Sequence, residues 1–215
     1  MKARRVKGLD PQGTLADNLE RIVRVRCDEL HSFMPRASDP AAVTALHDMR
    51  IAAKRLRYIL EMSEGCFGPY AQTAGKRAKE LQDLLGEIHD CDVTLPRVTA
   101  LVEQARAEDV RAALERAGDA DDLDPRLAAG APNAAAYRGI EAMVVYLAAR
   151  RALLFDRFLE LWDKLGRDGF RARLEFAITE RPAPEPPAPP EPITPPSHVG
   201  NGGDPAEALA STPPE

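Results

Sequence analysis

Polar and apolar positions along the first 180 residues recur at helical spacing. Between Thr14 and Met34, the residues Leu19, Ile22, Val23, Leu30, Phe33 and Met34 share one face. Thr14 with Asp17 three residues on resembles a capping arrangement. A second helix is expected to start with Asp39 as N-cap and Pro40 at its first position, and to stop at Gly65. Its core face is Leu46, Met49, Ala53, Leu56 and Leu60. A third begins after Gly68-Pro69 and carries Ala78, Leu81, Leu85 and Ile88, with Gly86 marking either a weak point or a close helix approach. Because proline is tolerated in an opening turn and breaks a helix interior, Pro96 predicts a fourth helix capped by Asp90 or Asp92. Its stripe is Val98, Leu101, Val102, Ala105, Val110 and Leu114, and Gly118 stops it. Beyond an acidic linker at 118–132, a fifth helix runs from about Asn133 to Leu165. Its seam is Ile140, Val144, Leu147, Leu154, Phe158, Leu161 and Leu165, interrupted by Arg151, and 168–179 suit a short terminal helix. Long amphipathic helices joined by short turns predict an all-α antiparallel bundle.

Composition agrees. Aromatics make up 5% of the chain, and Ala, Leu, Glu and Arg dominate its first 180 residues, which favours helices over a β-sandwich. The 215 residues allow one large domain, or one domain with tails. The division expected is a basic arm at 1–13, the bundle at 14–180 and a disordered tail at 181–215. That last segment holds 12 of the 19 prolines, so it lacks the amide donors and apolar mass to fold. No apolar run reaches the ~18 residues of a membrane span, and the opening MKARRVKGLDPQG has no apolar core of a secretory signal. Cys27, Cys66 and Cys91 are an odd count at wide spacing, read as buried thiols in a reducing cytoplasm.

Charge is segregated. Residues 1–80 hold 15 Lys/Arg against 10 Asp/Glu, whereas 81–132 hold 5 against 12. A protein of net charge −5 can therefore still attract a polyanion to its first third. Within that third, His47, Arg50, Lys54 and Arg57 fall inside roughly an 80° arc of one helical face. Cations stacked in this way repel one another unless acids or a bound anion neutralise them, and Glu61 offsets part of the charge. Lys76 and Lys79 share a face with Asp83, and Arg150, Arg157 and Lys164 recur every seventh residue. Arg21, Arg24 and His31 share another face, interspersed with Asp17 and Asp28. If such stripes converge they form a cationic groove, which suits a linear run of phosphates gripped at successive turns.

His47-x-x-Arg50 followed by Lys54-Arg55-Leu56-Arg57-Tyr58, and then Leu81-Gln82-Asp83-Leu84-Leu85-Gly86-Glu87-Ile88-His89-Asp90-Cys91-Asp92-Val93, resembles the CHAD family, the conserved histidine α-helical domain. The resemblance is specific over 40–95 and looser over 14–40 and 96–165, where Trp162 in a Leu-Trp-x-x-Leu ending fits. The arm and the tail lie outside it. What it implies is a helical bundle that binds inorganic polyphosphate through basic residues, with association to polyphosphate granules. Carried over by position, the family's signature falls on His47, Arg50, Lys54, Arg55 and Arg57, and its later basic helix on Lys76 and Lys79. Arg55 points away from the others by helical geometry, and His89 stands where the family motif often has Arg. The family carries two pseudo-symmetric halves, and one copy is found here. Either this half pairs with itself as a homodimer, or it works alone with a shallower groove.

Other chemistries fit less well. His47 could act as a phosphoryl acceptor or acid–base, but no nucleophile–base–orienter set accompanies it. Asp28-x-x-His31 and His89-Asp90-Cys91-Asp92 contain metal-ligand types without the pairing a di-metal bundle site requires. Stacking aromatics and DNA-reading modules are absent, which disfavours nucleic acid. A structural adapter, or a generic polyanion binder, is the blandest alternative. The reading is non-enzymatic polyphosphate binding with no metal, cofactor or membrane partner, by His47, Arg50, Lys54, Arg55 and Arg57. Lys76, Lys79, Arg150, Arg157 and Lys164 flank that stripe.

Overall fold

The computed structural model describes residues 2–182, which form helices and no strand among those described. The helices are α1 (Leu15–His31), α2 (Met34–Ala37), α3 (Val43–Met62), α4 (Tyr70–Ala117), α5 (Arg126–Ala129), α6 (Tyr137–Arg167) and α7 (Phe170–Ala177). The expected tail lies outside the described residues from 183 onward.

Local chemistry sets most of the boundaries. Thr14 caps α1 as expected, its Oγ1 accepting the Asp17 amide at 3.1 Å. Asp39 does not cap α3. Its carboxylate takes the Ala41 amide at 2.8 Å in a tight turn around Pro40, so α3 begins at Val43. Gly65 (φ +79°) and Gly118 (φ +53°) sit where stops were expected, each in a backbone region that favours glycine.

The largest departure is α4. The expected third and fourth helices are one 48-residue rod, about 72 Å long, with Pro96 in its interior. Asp90 and Asp92 cap nothing, and Asp92 instead accepts from Arg151 Nε at 2.6 Å. Physically, the buried row Leu81, Leu85, Ile88 and Cys91 runs without a phase break into Val98, Val102 and Ala105. Burial on both sides of the proline outweighs the ~3 kcal/mol that a mid-helix proline costs.

α3 packs between α1 and α4, and α4 between α3 and α6, while α7 touches α4 and α6. The His31 ring of α1 lies 5.1 Å from Trp162 of α6 and 6.2 Å from Phe170 of α7. Arg171 of α7 bonds Asp28 of α1 at 2.6 Å, which closes the bundle. Val23, Leu30, Met49, Leu56, Leu81, Ile88, Phe158 and Leu174 are completely buried in the core. The N-terminal arm runs along α1, with the Arg4 amide donating to Glu29 and the Asp10 amide to Asn18. Arg181, where the sequence places the start of the tail, bonds Asp17 and Glu20 of α1 at 3.0 and 2.7 Å. At the far end of α4, Asp109 accepts from the Asn133 amide and side chain and from the Tyr137 hydroxyl, tying the start of α6 back to α4. All three cysteines are free, and burial pushes the Cys27 thiol up to about 12.

Candidate functional site

α3 and α4 run antiparallel in a register that four contacts define. The His47 and His89 rings lie 4.5 Å apart. A methyl group on Gly86 would sit 3.5 Å from Arg50 Nε, and one on Gly75 would sit 3.6 Å from Leu60 Cβ. Gln72 Nε2 donates to Glu64 at 3.2 Å. The same register sets Lys54 and Arg57 across from Gln82 and Lys79. Gly86 thus faces the Arg50 guanidinium across the helix approach, where a methyl group would make ordinary contact with it.

The resulting groove carries unusual polar atoms. His47 Nδ1, Arg50 Nε and Arg57 Nε of α3, with Gln82 Oε1 and His89 Nδ1 of α4, are buried without a hydrogen-bond partner among the described residues. All five lie along this one seam. Four are nitrogens that donate or can donate, and native proteins satisfy nearly all such buried groups. Lys54 is exposed, and Lys54 and Arg57 flank the Tyr58 ring with their cations 5.5 and 4.4 Å from its centroid. Arg57 approaches Glu61 at 3.6 Å and is otherwise largely buried. Beyond it, Lys76 and Lys79 line a recess of about 380 Å³ with Glu61, Glu64 and Gly75, and Lys79 pairs with Asp83. Burial holds the His47 imidazole below its ordinary 6.5, helped by His89 and Arg50 and opposed by Asp48.

The structure therefore brings together His47, Arg50, Lys54, Arg57, Lys76 and Lys79. Arg55 is not among them. Its guanidinium bonds Glu29 of α1 at 3.1 Å, on the far side of α3, so this member of the family signature is spent on a buried carboxylate. Arg150 is also directed elsewhere. It bonds Glu87 and the Cys91 sulfur of α4, and Glu87 projects about 100° around α4 from Gly86. Arg157 and Lys164 are exposed on the same helix as Arg150, one and two heptads further along it. The α1 stripe is dispersed as well: Arg21 bonds the Gly8 carbonyl, Arg24 bonds Glu20, and His31 Nδ1 meets the Cys27 carbonyl.

Sequence reasoning missed Gln82 and the part played by His89. Their positions, with Gly75, Gly86 and Val93, form one stripe of α4 at helical spacing. That signal is readable once α3 and α4 are set antiparallel. Among the described residues, no group of three His, Cys, Asp or Glu could hold a metal ion, and no helix is long and apolar enough to cross a membrane.

No curated protein and no solved structure matches the chain. One family model does, described as the CHAD domain, over residues 3–99. The match includes the N-terminal arm, which the sequence resemblance left outside, and ends just past Pro96. It takes in α1, α2, α3, the first 30 residues of α4 and every residue of the groove. Over residues 3–99 the chain is thus similar to the CHAD domain family.

Proposed function

We propose that this protein binds inorganic polyphosphate along the α3/α4 groove and does so without catalysis. The observation that carries the reading is the row of buried nitrogens on His47, Arg50 and His89 with no hydrogen-bond partner among the described residues, beside the exposed Lys54 and with Arg57, whose Nε has only Glu61 at 3.6 Å, next in line. A linear polyanion supplies an acceptor oxygen at each helical turn, so one ligand class satisfies the whole row. The similarity of residues 3–99 to the CHAD domain supports the same ligand, because that domain is related to polyphosphate binding. Lys76 and Lys79 extend the cationic line, and association with polyphosphate granules follows as part of the proposal.

A salt-titrated binding assay tests it, comparing polyphosphate, DNA at equal phosphate equivalents and short phosphates. Polyphosphate is expected to bind best, with affinity falling steeply as salt rises. Replacing Arg50, Lys54 and Arg57 together by Ala should cost at least ~100-fold in affinity at low salt and flatten the log–log salt slope by about 2, with helicity unchanged. Unchanged affinity in that variant contradicts the groove, equal displacement by DNA indicates a generic polyanion binder, and shortening of the polymer indicates an enzyme.

A further inference from the structure

The first two-thirds of α6 is apolar nearly all round its circumference, although one side has no neighbour among the described residues. Between Gly139 and Phe155 the exposed positions are Gly139, Glu141, Ala142, Met143, Val145, Tyr146, Ala148, Ala149, Ala152 and Leu153, a set with one charge. Both arginines of that stretch are turned to α4, Arg150 to Glu87 and Arg151 to Asp92. Met143, Val145, Tyr146 and Leu153 are each more than half exposed. A helix apolar on every side is normally covered on every side.

The uncovered side is patterned. Ala142, Tyr146, Ala149 and Leu153 follow a 4-3-4 spacing, the seam of a helix pair, and alternate small and large. Turned antiparallel on a second copy, the seam matches itself. Ala142 meets Leu153 of the second copy, and Tyr146 meets its Ala149, so each large side chain sits over a small one. Charge agrees with this orientation. Arg138 stands at one end of the seam and Asp156 and Glu160 at the other, all exposed and without an ion-pair partner among the described residues. The antiparallel arrangement brings Arg138 within a turn of Asp156 and Glu160 of the second copy at both ends, whereas a parallel one sets like charges together.

We propose that the outer face of α6 is a two-fold interface, occupied by α6 of a second copy of this chain. The face lies on residues 138–160 and shares no residue with the α3/α4 groove, so it stands or falls independently of polyphosphate binding.

Sedimentation equilibrium of the full chain up to about 100 μM tests it. A concentration-dependent dimer is expected. Ala149→Glu places two unpaired carboxylates on the seam and should weaken the dimer at least ~10-fold with circular dichroism unchanged, since Ala149 is exposed. Arg138→Glu should weaken it, and Arg138→Glu with Asp156→Arg and Glu160→Arg should restore it. A chain that stays monomeric throughout that range, or a dimer untouched by Ala149→Glu, overturns the proposal. Failure of the charge exchange to restore the dimer overturns the antiparallel orientation.

Discussion

Glu29 shows what a single buried charge decides. It is 1% exposed and accepts from Arg26 at 2.7 Å, from Arg55 at 3.1 Å and from the Arg4 amide at 3.1 Å. Glu29→Ala removes the carboxylate these donors share, while Arg26 Nη1 keeps its bond to the Arg4 carbonyl at 3.0 Å. Because both arginines keep some solvent contact, the expected cost is about 3 kcal/mol, at the lower end for breaking a buried pair, read from chemical denaturation. Polyphosphate affinity of the folded protein should not change, since Arg55 faces away from the groove. Histidine sets the pH behaviour. Burial holds both His31 and His47 below 6.5 in the native state. In the window between those depressed values and about 6.5, the unfolded chain binds more protons than the folded one. Their contribution to stability is therefore complete above about 6.5 and is lost as pH falls below it. Melting curves taken from about pH 7.5 to about pH 5.5 should show the decline. Saturating polyphosphate should offset the His47 share and leave that of His31. A midpoint flat across this range would contradict the assignment.

Elements are where sequence and structure diverge most instructively. Thr14, Gly65 and Gly118 act through their own backbones, so the cap and both stops are legible from neighbouring residues. Pro96 misleads because its local penalty is real, whereas the burial of Cys91 and Val98 on either side comes from partners distant in the chain. The stripe His47, Arg50, Lys54 and Arg57 is legible for the same reason as the cap: one helix carries it. Its exclusion of Arg150 is not, since the bond to Glu87 requires knowing that α6 flanks the opposite side of α4. Gly86 tests the α3/α4 approach directly. The added methyl group of Gly86→Ala meets Arg50 Nε at an ordinary contact distance, 3.5 Å. Helix propensity should then raise stability by about 0.5–1 kcal/mol. Crowding the Arg50 side chain should weaken polyphosphate binding in the same protein. A thermal melt and the binding assay read both effects, and a loss of stability would show that the helices lie closer than described.

At the scale of the whole molecule, burial is uneven along the two longest rods. Upstream of Pro96, α4 buries Ala71, Ala74, Ala78, Leu81, Leu85, Ile88 and Cys91; past it, the buried apolar residues are Val98, Val102 and Ala105. α6 has no fully buried residue before Leu154. The groove lies wholly in the densely packed part, which keeps its cations in place. Pro96 also has no amide hydrogen, so the turn that joins the two parts of α4 is short of one rung. The molecule should accordingly open in two stages. In native-state deuterium labelling, amides of 98–117 and 137–150 are expected to exchange through a partial opening that leaves α1, α3 and the first half of α4 protected. Pro96→Ala, which replaces the missing rung, should slow that partial opening selectively, whereas equal protection on both sides of residue 96 would mean the rod yields as one.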